Sequence, residues 1–569
     1  MFARVKKSGN NQYLQIVENR KISGKVVQRV ISTVGRLDRL QEKGEIENLV
    51  RSLSRFSEKV LLVLSGKTEV GAETKTIGPA LIFERLWNEL GIRKALERAL
   101  DDRFFFFNVE RAIFLTVLHR LFVCGSDRFC DKWRRDYRIA GVEKLSLHHL
   151  YRAMAFLGEE IEDQAQATTF SPRCTKDAIE EAMFAHNRDL FSSLDLVFLD
   201  STSIYFEGEG GEELGKRGFS KDHRPDLKQM IVGVVLDNNG TPLCSEMWPG
   251  NTADVETLLP VVERIRKRFQ TTGFCIVADR GMISRKTLDI LNQPENKISY
   301  ILGERMRNVK EVGEKVLTAS GDYVEVYPEG NSTRDPSPLK VKEVMIEGRR
   351  YIVCLNTRQA RKDALDREAI IESLKERIQS GAKGMIGNKG YRRFVKMESG
   401  SVSIDMEKVE EEAKYDGVWV LRTNTRLSPK NVALKYKQLW MVEHAFRDMK
   451  SVLDTRPVFH QRDETIRGHV FCSFLSLALR KELYRRLEAA GHSGLEWADI
   501  KQDLEALQEI IIEDNGKKLS IRSQCLGSCG KIFQAVGVAV PPTIRELQNI
   551  AKQECPGSAT GDYCTRNYP

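Results

Sequence analysis

Four short apolar runs between residues 194 and 279 constrain this chain more than any other feature. They are LDLVFLDSTSIYF, MIVGVVLD, TPLCSEMW and FCIVAD. Each is short, and Val, Ile and aromatics are frequent in them, which predicts buried strands. Asn239-Gly240 separates the second from the third and predicts a tight hairpin. DVETLLPVVERIRKRFQ, from 254 to 270, predicts a helix before the fourth. Ser284 is placed to cap the helix SRKTLDIL that follows. The order is strand, strand, strand, helix, strand. Such an order needs a mixed sheet covered by helices, an α/β domain. DGVWVLRTN (416–424) predicts a strand returning to that sheet. The long interval before it is strand-rich, with one helix near 358–379, and reads as an inserted subdomain over about 298–415.

The flanks read differently. YLQIVENRKISGKVVQRVISTVGRLD predicts a small hairpin turning at Ser23-Gly24, then a charged helical stretch to about residue 65. Residues 79 to 190 carry helical periodicity, with room for a helix-turn-helix but no signature that places one. Helices resume beyond about 455, and the last residues, SATGDYCTRNYP, read as disordered. The expected divisions are 1–75 (hairpin and linker), 76–190 (helical), 191–480 (catalytic α/β) and 481–569 (helical, with the tail).

Composition narrows the class. A chain of 569 residues holds several domains. No run approaches the roughly 20 apolar residues of a membrane span, and MFARVKKSGNNQ lacks the apolar centre of a secretory signal. The net charge of +9 permits a polyanionic partner without requiring one. Eleven scattered cysteines fit reduced thiols and a cytoplasmic location. The spacing of Cys525, Cys529, Cys555 and Cys564 matches no common zinc pattern. The loop EGEGGEELGKRGFSKDHRPDLK is glycine-rich, yet its acids and its position argue against a phosphate cradle.

YKQLWMVEHAFRDMK (436–450) raises the chemical question. At about 100° per residue, Tyr436, Glu443 and Lys450 form one helical stripe. Leu439, Val442, Phe446 and Met449 form a second, the core face. Glu443 then borders the core, where a carboxylate is costly unless it is paired or binds a metal. Trp440 and Arg447 fall on the outer flank.

Asp200 and Asp279 lie on or at the end of predicted strands. Taken singly, each acid also reads as a solvated strand end or loop residue. Together with Glu443 they can converge on one point. Hard divalent cations bind such oxygen clusters. Two ions about 4 Å apart can activate water or a 3′-hydroxyl in phosphodiester displacement.

The constellation resembles the DDE transposases of bacterial insertion sequences, in the insertion-sequence-four group with its Y-x2-R-x3-E-x6-K motif. Tyr436, Glu443 and Lys450 match that motif, and Leu439 stands where it has Arg. Arg447 is a candidate substitute on another turn. Further similarity lies in DSTSIYFEG (200–208), GFSKDHRPDLKQ (218–229), GNTAD (250–254), VADRGM (277–282) and RPVFH (456–460). It spans about residues 190 to 480, and more weakly the N-terminal hairpin.

The resemblance implies a ribonuclease-H-like mixed-sheet core with a β-rich insertion. Asp200, Asp279 and Glu443 would be the catalytic residues, ligating two Mg2+ ions, with Mn2+ able to substitute. Tyr436 and Lys450 would contact phosphates of double-stranded DNA at the terminal inverted repeats. Lys221 and Arg224 lie in a basic segment with Lys216, Arg217, His223 and Lys228; these two and Arg280 are further DNA-binding candidates. Strand transfer into target DNA, cut-and-paste movement and a homodimer joining two ends are implied as well, as is a nucleoid-bound cytoplasmic enzyme. Two alternatives stay open: a hydrolytic nuclease of the same fold, and a decayed DNA-binding protein.

Overall fold

The computed structural model describes residues 2–9, 11–22, 25–46, 48–49, 72–168, 171–188, 194–271, 273–293, 298–327, 339–379, 392–398, 401–453, 455–514 and 517–547. They fall into two compact units, one of 1–78, 502–529 and 539–569, the other of 79–501 and 530–538.

In the first unit, β1 (Phe2–Ser8), β2 (Asn11–Ile22) and β3 (Lys25–Arg36) form an antiparallel sheet. The expected hairpin is the β2–β3 pair, and β1 adds a third strand. Its turn, Ser23-Gly24, lies outside the described residues, as does most of the charged stretch that follows the short helix Leu37–Glu42. The fourth strand of the chain, β4 (Ala72–Thr76), belongs to another sheet of the same unit.

The second unit is built on a nine-stranded mixed sheet. One side of it is β5 (Leu196–Tyr205), β6 (Gln229–Asp237), β7 (Pro242–Pro249), β8 (Cys275–Ala278) and β9 (Ser299–Gly303), with β7 at the edge. The 254–279 helix-and-strand order is present, with the helix at Asp254–Arg268. Gly240, at φ +75°, makes the β6–β7 turn that only a residue tolerant of the left-handed region fits easily. The interval after β9 contributes β10 (Val324–Val326), β11 (Leu339–Ile346) and β12 (Arg349–Asn356), then the helix Thr357–Gln379 and a ribbon of β13 (Val395–Glu398) and β14 (Ser401–Ile404). The returning strand is β15 (Val418–Thr423). The sheet order is β10-β11-β12-β15-β9-β8-β5-β6-β7, so the insertion widens the central sheet as well as carrying its own ribbon.

Strand alternation sorts the side chains. Val197, Leu199, Ile276, Ala278 and Leu302 share a core with Leu258, Val261, Val262 and Ile265 of the helix Asp254–Arg268. Phe198 and Val277 therefore point to the opposite face, with Asp200 two residues on along β5. The helix Trp440–Arg447 packs on β5 and β6.

A fully buried ion network fastens the helix Thr175–Asn187 to this sheet. Arg268 meets Glu180 at 2.6 Å and Asp177 at 3.2 Å; Arg264 meets Asp177 at 3.0 Å and Glu246 of β7 at 3.1 Å. Lys176 meets Asp177 at 2.7 Å. The charges compensate one another, which is the condition for burying them.

Beyond residue 481 the expectation of helices alone is corrected. The helices Asp463–Ala489 and Trp497–Glu505 are followed by β16 (Gln508–Asp514), β17 (Lys517–Arg522) and β18 (Ile544–Leu547), in the order β18-β17-β16-β4. QEIIIED is short and apolar at its centre, a pattern that periodicity alone does not assign to helix or strand.

Candidate active site

Register places the first two acids. The parallel pairing of β5 with β8 ends at Leu199 opposite Ala278. Asp200 and Asp279 are the next residues on the two chains, about one strand spacing apart. Alternation points both away from the helix Asp254–Arg268 and toward the face where the helix Trp440–Arg447 packs.

Asp200 is mostly buried. Burial pushes its carboxyl up to about 6, against the pull of the Lys221 ammonium and the Ser201 N–H. That N–H donates to Asp200 Oδ1 at 2.7 Å. The charges of Asp279 and Asp254 push the same way as burial. Asp254 accepts from Ser201 Oγ at 2.7 Å and pairs with Lys221 at 3.0 Å. Lys221 also donates to the Ser201 carbonyl at 2.8 Å. The site therefore holds a third sheet-side acid and one ammonium that the sequence reading did not link. Asp254 ends the GNTAD stretch, where only its chain position hinted at a role.

The continuous helix expected from 436 to 450 is corrected. Ser428 caps a helix at Pro429–Lys437, accepting from Asn431 N at 3.3 Å. The chain then breaks at Gln438–Leu439, resumes at Trp440–Arg447 and widens into π-type turns over Asp448–Val452. The core face is as expected: Leu439, Val442, Phe446 and Met449 are all buried. The polar stripe is split by the breaks. Tyr436 donates its hydroxyl to Asp279 Oδ1 at 3.0 Å. Burial and the Asp279 charge push its phenol far up, so it stays protonated. Lys450 donates to Asp222 Oδ1 at 2.7 Å, and Arg456 reaches the same oxygen.

Glu443 is exposed. Its carboxylate and those of Asp200 and Asp279 do not all lie within 4.8 Å of one another. Register sets Asp200 beside Asp279, and Glu443 is exposed on the helix that packs on β5 and β6. Arg447 and Arg280 are exposed. Arg224 pairs with Asp226 at 2.9 Å and lies 5.5 Å over the Tyr205 ring.

A separate cluster, Asp127, His460 and His469, has metal-like spacing. His469 Nδ1, however, accepts from the Arg120 guanidinium at 2.9 Å, and Arg120 also donates to the Ser473 hydroxyl at 2.7 Å. A fixed cation on the donor atom opposes a second one there.

The model of the transposase DDE domain matches residues 192–479, and that of the N-terminal domain of IS1634 family transposases matches residues 3–67. No curated protein matches the sequence. Among solved structures, a cryo-EM structure of the piggyBac transposase synaptic complex with hairpin DNA is similar at 10% identity and a TM-score of 0.37, covering 77% of this chain and 82% of that one. The DDE-domain match takes in slightly more than half of the chain, from β5 through the segment that carries Glu443 and Lys450, and so the protein belongs to the DDE transposases of insertion sequences, enzymes that act on DNA with a divalent metal.

Proposed function

We propose that Asp200, Asp279 and Glu443 are the catalytic carboxylates of this transposase and together hold two Mg2+ ions, with Mn2+ able to substitute, in a ribonuclease-H-like core. The observation that carries this is the register that sets Asp200 beside Asp279 on the face that receives the Glu443 helix. The residues suit a hard cation: all donors are oxygens, and Asp200 is a mostly buried carboxylate whose acidity is lowered by burial and by the charges of Asp279 and Asp254. Bound metal supplies charge neutralisation at the phosphate and activation of the attacking oxygen.

The chain's own groups do the rest. Tyr436 fixes the rotamer of Asp279. Ser201 and Lys221 hold Asp254 in place, and its charge acts on Asp200. Glu443, on a short helix with a break at each end, completes the set when DNA and metal are present. Lys221, Arg224, Arg280, Arg447 and Lys450 line the path of the DNA backbone, where point charges bind phosphates. Tyr436 serves Asp279 in this reading. Movement of the element is cut-and-paste, on a homodimer that joins two terminal repeats, in the cytoplasm where the DNA lies. Among the described residues no helix is long and apolar enough to cross a membrane.

The test uses duplexes from the DNA flanking the gene, Mg2+ and a target plasmid, with Glu443→Gln alongside. Metal-dependent end cleavage and joining by the wild type alone supports the proposal. Cleavage without joining turns it to a nuclease, and end binding with no chemistry to a decayed binder.

A further inference from the structure

We propose that Arg456 joins Lys450 at its phosphate of the DNA backbone, and that the Asp222 carboxylate occupies this site when DNA is absent. The proposal rests on the DNA-cleaving reading above and adds a residue that regulates access.

The geometry is that of an anion site filled by the chain itself. Lys450 and Arg456 come from different segments and converge on one oxygen, Asp222 Oδ1. The Asp222 side chain is 5% exposed. Its second oxygen, Oδ2, is buried with no hydrogen-bond partner. Two cations therefore share one negative charge, and one buried acceptor is unsatisfied, a costly state. A phosphodiester carries the same charge on two outward oxygens. It can accept from both cations, so exchanging it for the carboxylate leaves the local charge unchanged.

The surroundings fit a displaceable carboxylate. Asp222 lies on the connection between β5 and β6, and its neighbour His223 has φ +58°, in the left-handed region that most residues other than glycine avoid. Arg456 is held by a short parallel contact in which Val458 N donates to the Tyr205 carbonyl at 3.1 Å and Glu207 N to the Val458 carbonyl at 2.9 Å. Its guanidinium lies 5.9 Å from the Tyr205 ring. Tyr205 is five residues beyond Asp200 on β5, roughly 16 Å along the strand. The peptide bearing Asp222 also bears Lys221, the ammonium beside Asp254 and Asp200. Expelling Asp222 therefore acts on the counter-ion of the candidate metal site.

The test measures binding without chemistry, in EDTA, on a labelled duplex of about 30 base pairs taken from the DNA flanking the gene. Asp222→Asn is expected to bind about tenfold tighter than wild type, with a log–log salt slope steeper by about 0.9, one further phosphate. Unchanged or weaker binding with an unchanged slope overturns the proposal. Should Asp222→Asn lose its cooperative melting, Arg456→Gln decides. Binding weaker than wild type with a slope shallower by about 0.9 supports the site, and wild-type binding overturns it. Because no metal is present, either result is independent of whether the carboxylates cleave DNA.

Discussion

Tyr436 donates its hydroxyl to Oδ1 of Asp279 across 3.0 Å, and a β-carbon on Gly303 would lie only 2.3 Å from that same hydroxyl. The family resemblance assigns Tyr436 to DNA phosphates, and in this structure its hydroxyl is bonded to a candidate metal ligand. Tyr436→Phe removes a hydrogen bond to a charged acceptor, of the order of 1.5–3 kcal/mol. Cleavage is expected to fall about tenfold or more at saturating DNA, with higher Mg2+ needed and end affinity unchanged. Weaker end binding with a normal rate at saturation would return Tyr436 to the phosphate role.

Gly303→Ala forces its methyl group against the Tyr436 ring end. The expected outcome is the same metal-dependent loss as Tyr436→Phe. The double variant should be no worse than either single one, because both act on Asp279. Additive losses would separate the two residues.

Asp200 gives a pH dependence. Its carboxyl rises from an unfolded value of about 3.9 to about 6 in the fold. A raised acid favours the folded state below the unfolded value, and that contribution is lost as pH climbs through the folded one. Without metal, the ionised Asp200 therefore destabilises the protein above pH 6, by at most about 3 kcal/mol. In EDTA, Asp200→Asn should melt higher than wild type at pH 8, with the gap narrowing at pH 5. A gap independent of pH would contradict the burial argument.

Arg268 anchors the buried ion network through Glu180, Asp177 and Glu181. Arg268→Ala leaves these carboxylates without their shared cation. Urea unfolding should show a loss of about 3–5 kcal/mol. A loss under 1 kcal/mol would mean that the network relaxes or takes up water.

Leu439 stands where the motif has arginine, and the structure gives this position an apolar setting. It is buried, 7% exposed, at the break between two helices, and faces the core with Val442 and Met449. Leu439→Arg buries a charge without a partner there and should cost at least about 2 kcal/mol, with no gain in cleavage. Higher cleavage at unchanged stability would show that the missing arginine is functional.

Short-range patterns determined much of this protein by themselves. The strand runs of 196–205, 229–237 and 275–278, the Asn239-Gly240 turn, the Ser284 cap and the core face of Leu439, Val442, Phe446 and Met449 are all legible locally. Each depends on residues within a few positions of one another, through side-chain period, turn preference or capping. Tertiary structure decided what these elements meet. The Leu199–Ala278 register aligns Asp200 with Asp279, although the two are far apart in sequence. The break at Gln438–Leu439 sends Tyr436 to Asp279 and leaves Glu443 exposed, although a helical wheel puts both on one stripe. Asp254, Asp222 and Arg456 gain their partners only through packing. Local propensity sets the period of a segment. Which polar groups pair is set by burial, where an unpaired charge is costly, and burial is a property of the whole fold.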